Sequence, residues 1–543
     1  MKINKKFIFT ALASLALVGC ADLDTEPLGS TITADQKSET VEANPERVAA
    51  SVNAIPTLFS VYGNVYGTDN LRQNDFGYPA LMLLSDGRGM DLVSDNIGYN
   101  WFSYPITMTG DWNINSISNV MTWETLYNQI FAANAVTGSL DRDEQLDPET
   151  ADPTLQYYLA QALTIRAFDY FHLAQQYQQT YVGHESMPCV PIITEENADE
   201  AAVNGCPRST VKEVYDFILK DLGDAITMLE ATDVERADRR YVDAAVAHGL
   251  RARVRLVTND WAGARDDAQA AIDLTDARPA SFEEVAKPTF KAITEPDWMW
   301  GILISEEDRV VTSGIVNWPS HMGSLNYGYA SVGAWRYISK KLYNSIPETD
   351  VRKGWWLDAN STSANLSRAQ QAYVDESGIP AYTQVKFAPY NDEVYTSTNA
   401  NDIPLMRVEE MYLILAEATA MAGDPATGKS ILENFVKTYR NPYYVTRAAT
   451  DTEVQDAVWE QRRIELWGEG LSYWDIMRLK KGIDRRGAGF AEAYVYNIPA
   501  EEEIFIFKIP KEETEANKLI DGVNDNNPDA KDAKTYLVDD EEE

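Results

Sequence analysis

The chain reads as a mainly α protein: a tetratricopeptide-like solenoid of helix hairpins, interrupted by a loop-rich, aromatic-rich region with few short strands. Three observations predict this. Apolar residues recur at spacings of three and four along several long segments in both halves. Residues 242–274 read as two helices joined at Asn259-Asp260, with Ala264, Ala268 and Ala271 as the small residues a close helix crossing needs. Between 279 and 402, by contrast, Trp and Tyr sit among Gly, Asn, Ser and Pro without a helical period.

In chain order, the first clear helix spans 122–140, where Trp123, Leu126, Tyr127, Ile130, Phe131 and Val136 form one stripe. Asp152-Pro153 opens a second, because a capping carboxylate followed by proline is a helix start. Stripes at 211–229 and 244–257 give two more, and Trp261 begins the next. A short strand is expected over 300–304. Helices return at 406–421, 429–438 and 454–479, followed by a late strand at 504–509 and a solvated, disordered acidic tail. Strict 34-residue repetition is absent, so the hairpins are irregular. At 45% hydrophobic and 24% charged, with no Pro/Ser/Gly-rich linker, residues 43–278 and 279–543 are expected to form one compact unit.

The start of the chain carries an address. Lys2, Lys5 and Lys6 precede an apolar run, 7–18, that is too short to cross a bilayer, and Leu17-Val18-Gly19-Cys20 matches the bacterial lipobox. Residues 1–19 are therefore expected to be removed, Cys20 lipidated, and 20–42 to act as a flexible tether. Cleavage removes three lysines and no acids, taking the formal charge from −37 to −40, a field that repels nucleic-acid backbones. Asp22, Asp24 and Glu26 after the cysteine resemble signals that place lipoproteins on the outer face of the outer membrane. Cys189 and Cys206 then remain, spaced so that either one disulfide or two free thiols is open.

Residues 423–430, GDPATGKS, match the phosphate-binding loop G-x-x-x-x-G-K-[ST]. That loop works only between a strand and a helix, where backbone N–H groups converge on phosphate. Here the preceding segment has helical spacing, so Gly423 reads as a helix C-cap and Asp424-Pro425 as the next helix start. A nucleotide site is not expected.

Three segments together resemble the SusD/RagB family of outer-membrane nutrient-binding lipoproteins. Residues 162–173, ALTIRAFDYFHL, with the exit Met187-Pro188 to Val190-Pro191, resemble its "EA..RA..Y..L" helix. Residues 405–418, LMRVEEMYLILAEA, are similar to its "lRyaEvyLi.AEA" helix. Residues 460–478 follow "ERR.EL..EG.R..DL.R", with Ser472 where arginine is usual. The motifs look structural: Arg462 with Glu465, and Asp475 with Arg478, stand three apart, and each is expected to pair along its helix.

The resemblance implies a SusD-like fold, capture of oligosaccharide at the cell exterior, and delivery to a SusC-like TonB-dependent transporter. Peptide capture by the same architecture is the alternative, and a lipid-anchored hydrolase a more distant one. Sugar rings need flat aromatic faces flanked by polar groups. Two stretches offer them: 91–112, with Tyr99, Asn100 and Trp101 preceded by Arg88, and 318–335, with Trp318, Tyr327 and Trp335. These seven are the expected ligand contacts. His172, His184, His248 and His321 lack metal spacing, residues 521–529 lack the glycine register of a calcium loop, and no catalytic pair stands out. No cofactor, metal or enzymatic activity is expected.

Overall fold

A computed structural model describes residues 45–540. The signal segment, the lipobox with Cys20 and the tether to residue 42 lie outside the described residues. Helices dominate: α1 (Pro45–Ala54), α2 (Tyr78–Arg88), α3 (Ile117–Thr137), α4 (Pro153–Tyr177), α5 (Val211–Ala231), α6 (Ala244–Val257) and α7 (Trp261–Leu274) in the first half. After the aromatic-rich excursion come α8 (Trp318–Met322), α9 (Val408–Met421), α10 (Pro425–Tyr439), α11 (Asp451–Glu465) and α12 (Ser472–Arg478). Each of α3 to α7 packs on the next, and α7 then packs on α9, which packs on α10 and α11. One stack of hairpins thus continues through both halves, and residues 279–402 leave it between α7 and α9. No helix among the described residues is long and apolar enough to cross a membrane.

Local chemistry explains the helix boundaries. The Asp152 carboxylate accepts from the Thr154 and Leu155 N–H groups with Pro153 in the first turn. Thr210 with Glu213, and Thr450 with Glu453, form reciprocal capping boxes. Asp260 caps α7, whose Ala264, Ala268 and Ala271 are fully buried. The phosphate-loop look-alike is a helix turn: Gly423 adopts φ 103° and the Asp424 carboxylate caps α10. A Cβ on Gly428 would stand 2.6 Å from the Ala416 carbonyl oxygen, so this glycine serves the close crossing of α10 over α9.

Several expectations change. The single helix over 454–479 is two, because Gly468 and Gly470 turn the chain at φ 79° and 77°. The Gly470 N–H donates to the Asp86 carboxylate (2.9 Å), and a Cβ there would press into Met82. Residues 504–509 are buried but not a strand. They begin in the 3-10 turn Glu503–Phe505, and the Phe507 and Lys508 N–H groups donate to the Gln176 and Trp112 carbonyls. The strand expected over 300–304 is β2 (Trp298–Ile302), antiparallel to β4 (Ile403–Arg407). Two other short antiparallel pairs join β1 (Leu92–Val93) to β3 (Tyr337–Ile338) and β5 (Ile483–Asp484) to β6 (Asn497–Ile498). The tail is docked as far as Asp540, which accepts from the Gly487 N–H, while the Val538 N–H donates to Val495. Cys189 and Cys206 are both free thiols, so the disulfide is not formed; burial pushes the Cys189 thiol up to about 12.

Where the excursion rejoins the stack, ionised side chains meet in a dry interior. Glu465, fully buried at the end of α11, accepts from Arg352 (3.2 Å), Arg407 (3.1 Å) and Arg440 (2.8 Å). Arg440 also reaches Glu409 (2.9 Å), Arg352 reaches Asp350 (2.7 Å), and Arg407 reaches Asp297 (3.1 Å). Lys386 donates to the Glu465 and Trp467 carbonyls and to Glu469 (2.7 Å). A second group links Arg253 to Glu410, Arg462 to Asp475 (2.7 Å), and Arg478 to both Asp475 (2.8 Å) and Glu417. The Asp475–Arg478 pair is therefore as expected, whereas Arg462 and Glu465 turn to different partners in space. Ser472, in the place of the usual arginine, donates to Asp91 (3.1 Å), the carboxylate that also holds Arg463.

Burial alone would raise Glu465, but Arg440, Arg407 and Arg352 hold it well below the usual carboxylate range. The first group holds the acids Asp297, Asp350, Glu409, Glu465 and Glu469 against the bases Arg352, Lys386, Arg407 and Arg440, one acid more than bases. The surplus favours a bound proton: burial, with Asp297 adding to it, pushes Glu409 up to about 8, and burial raises Asp297 too. Breaking this centre is costly, because it leaves several cations facing an incomplete set of acceptors. Glu465→Gln is expected to lose about 3–5 kcal/mol of stability, read as a lowered denaturation midpoint. Asp216→Asn, at an exposed pair with Lys212, is expected to leave the midpoint unchanged.

Glu409 also predicts a pH dependence. An acid raised in the folded state contributes stability that is complete below its unfolded value of about 4.5 and lost as pH rises through about 8. Between about pH 5 and 8 the urea midpoint of the parent protein is therefore expected to fall relative to Glu409→Gln. Parallel pH profiles for the two proteins would remove the proton from this site.

Candidate functional site

Two loops far apart in sequence are brought together by the β1–β3 pairing, in which Leu92 faces Ile338 and Val93 faces Tyr337. The first loop runs through residues 94–101 and the second through 327–336. Arg336 fastens them: its Nε donates to the His321 carbonyl (2.8 Å) and its Nη1 to Ser94 Oγ (2.7 Å) and Asn100 Oδ1 (3.3 Å). Burial pushes Arg336 down to about 9, with no carboxylate beside it to offset the loss of water. At the loop tips, a Cβ on Gly333 would lie 3.1 Å from Ile97 Cδ1, so the absence of a side chain there allows the close approach. The Tyr337 hydroxyl closes one side by donating to Asp95 (3.1 Å).

Residues 73 and 74 complete the support. Asn74 Nδ2 donates to the Trp101 carbonyl (3.2 Å), and the Tyr329 hydroxyl donates to Gln73 Oε1 (3.3 Å). His321 is fully buried, stacked between Phe76 (5.4 Å, 17°) and Tyr329 (4.8 Å, 22°), with Nε2 at the Gln73 carbonyl (2.8 Å). Burial, then the nearby Arg336, pushes it down to about 3, so this ring is a neutral packing piece.

Of the seven residues expected from sequence, four present some surface on these loops. Tyr99 is 59% exposed and Tyr327 39% exposed, while Trp101 and Trp335 are half-buried. Trp335 leans on the cluster of Leu325, Leu357, Val374, Ile379 and Val385, leaving only part of its ring uncovered. The other three do not reach the surface. Trp318 is in the core, edge-on to Phe387 at 4.8 Å. Arg88 is fully buried, paired with Asp111 (2.9 Å) and lying over the Phe507 ring, so it has no free donor fork for a ligand. Asn100 is buried as the loop's own brace, donating to Ser94 and the Asp95 carbonyl and accepting from the Phe102 N–H.

One exposed ring escaped the sequence reading. Tyr395, 58% exposed, meets Tyr327 edge-on at 5.5 Å. Its N–H donates to the Leu325 carbonyl (2.7 Å), and the Tyr327 N–H donates to the Thr396 carbonyl (2.8 Å). Its φ of 63° is a conformation that bulky residues rarely adopt. Nothing local in the sequence marks it, because its partner lies nearly seventy positions earlier. The two braced loops thus carry partly exposed rings, Tyr99, Trp101, Tyr327 and Trp335, among polar residues such as Asp95 and Asn96, a combination suited to stacking on an apolar face while hydrogen-bonding a polar rim. Among the described residues, no group of three or more His, Cys, Asp or Glu is placed to hold a metal ion.

Comparison with known proteins bears on this arrangement. Residues 89–256 match a family model described as "Starch-binding associating with outer membrane", and residues 340–543 match that of the SusD family. SusD-like protein P2 of Formosa agariphila is 24% identical over 510 residues, covering 88% of this chain and 91% of that protein. The solved structure of a SusD-like carbohydrate binding protein from Bacteroides vulgatus aligns with TM-score 0.71 at 22% identity, over 87% of this chain and 96% of that one. Surface glycan-binding protein A from Bacteroides thetaiotaomicron, solved in complex with laminarihexaose, aligns with TM-score 0.61 at 16% identity, over 89% and 99% of the two chains. With the helix stack, its buried motif residues and two family matches that together span more than half of its length, the chain belongs to the SusD/RagB family.

Proposed function

We propose that this protein captures oligosaccharide on the face built from residues 94–101, 327–336 and Tyr395, and passes it to a SusC-like TonB-dependent transporter. The reading is supported by partly exposed Tyr99, Trp101 and Tyr327 on two loops that buried Arg336 and Asn100 brace, with exposed Tyr395 edge-on to Tyr327. Rigid rings bind without first being ordered, so stacking energy is not offset by a loss of side-chain freedom. Relatives of the same fold point the same way: one is described as a laminarin binding SusD-like protein and another was solved with laminarihexaose. Lipidation at Cys20 would hold the protein on the outer membrane with this face directed to the exterior, and the protein binds its cargo without cleaving it.

Glycan-array screening followed by calorimetry tests the reading. A stacked ring contributes roughly 0.5–1.5 kcal/mol, so Trp101→Ala and Tyr327→Ala are each expected to weaken binding by up to about tenfold. Tyr443→Ala, at an exposed ring on the helical stack, is expected to change nothing. Undiminished affinity in both loop variants would dismiss the face. For the partner, a large barrel protein is expected to co-purify from detergent-solubilised outer membrane, and its absence there would remove the transporter from the proposal.

A further inference from the structure

A groove of about 390 Å³ lies on the N-terminal part of the stack, away from the loops described above. One wall is α3, which presents Trp123, Tyr127 and Phe131 at four-residue spacing, with ring centroids 4.6 and 6.4 Å apart. The opposite wall is formed by the short helices Ala198–Asn204 and Lys511–Ala516. The two short helices are tied together, since Asn517 accepts from the Cys206 N–H (3.1 Å) and donates to the Cys206 carbonyl (2.8 Å). The groove is open to solvent at its aromatic wall, where Phe131 is 50% exposed.

The charged residues that line the groove are all of one sign. Several buried carboxylates meet an arginine, as Asp111, Asp221 and Glu465 do, whereas Glu124, Glu512 and Glu513 line the groove together without one among its lining residues. Burial raises Glu124, Glu512 and Asp75 push it in the same direction, and no cation offsets them. Among the described residues, Glu513 is held by the neutral groups of Asn517 and Trp123. Partly buried acids against aromatic rings are a poor arrangement when alone and a favourable one around a cation, which gains both the charge and the ring faces. The chain's own N-terminal region is a poor occupant, since Asp22, Asp24, Glu26, Asp35, Glu39 and Glu42 outweigh Lys37 there.

We propose that this groove docks a polypeptide segment of a partner protein in which lysine or arginine stands next to aromatic or aliphatic residues. The apolar side chains seat against Tyr127 and Phe131, in a groove of about 390 Å³ that a small cation does not fill. The basic side chain meets Glu124 and Glu513. This inference is independent of the glycan-binding face, and variants here leave glycan affinity unchanged.

The test selects a random dodecapeptide display library on the full mature chain, then measures the enriched synthetic peptides by fluorescence anisotropy. Enriched sequences are expected to place Lys or Arg beside Trp, Phe or Leu. Their affinity is expected to fall about tenfold or more in Glu513→Gln and in Phe131→Ala, and to weaken with added salt. Glu376→Gln, exposed on the helix Arg368–Ser377, controls for attraction by the overall negative charge and is expected to bind as the parent does. Circular dichroism establishes that each variant is folded. The proposal is overturned if no peptide is enriched, if the enriched peptides lack basic residues, or if they bind the groove variants as tightly as the parent.

Discussion

The structure depends on Glu465. One carboxylate, fully enclosed, accepts hydrogen bonds from Arg352 in the aromatic-rich excursion, Arg407 at the end of β4 and Arg440 at the end of α10. These residues lie on segments that share no local contact, so the centre locks the excursion to the helical stack at one point. A charge in a dry interior is tolerated only when its partners are complete. That requirement admits one relative placement of the segments and rejects those in which any partner is missing. Hydrophobic packing alone would tolerate more alternatives.

The same logic extends outward to the ring-bearing face. Arg336, buried without a carboxylate, draws its acceptors from the opposite loop, Ser94 and Asn100, and from the His321 carbonyl in α8. Its need for acceptors is what closes two loops about 240 positions apart onto each other. Stacking rings such as Trp101 and Tyr327 then sit on a support whose rigidity comes from buried polar bonds, while their own outer surfaces stay uncovered. Strain at Tyr395 fits this picture, since a positive φ on an exposed tyrosine persists only where the surrounding hydrogen bonds dictate it.

Much of the fold was legible. Helix periodicity, the caps at Asp152 and Asp424, and the turn at Gly423 are set by interactions within four residues, which sequence displays directly. Errors arose where distant contacts overrule local pattern. The run 454–479 keeps helical spacing, yet Gly468 and Gly470 fold it sharply because Met322 and Met82 leave no room for side chains. Residues 504–509 look like a strand because they are apolar, but their backbone groups bond to a helix end and a loop. Trp318 and Trp101 are indistinguishable as letters; only the packing of the main core, with the Phe387 ring edge-on, buries the former.

Sequence by itself determined where most of the long helices lie, which segments are irregular, and that Arg407, Glu465, Asp475 and Arg478 belong to one family pattern. Tertiary structure alone decided what those charges pair with, sending Arg462 to Asp475 and Glu465 to three arginines. It alone separated exposed Tyr99 and Tyr395 from buried Trp318 and Arg88. The physical reason is range: backbone conformation answers to near neighbours along the chain, whereas burial and ion pairing answer to whatever the whole fold brings alongside.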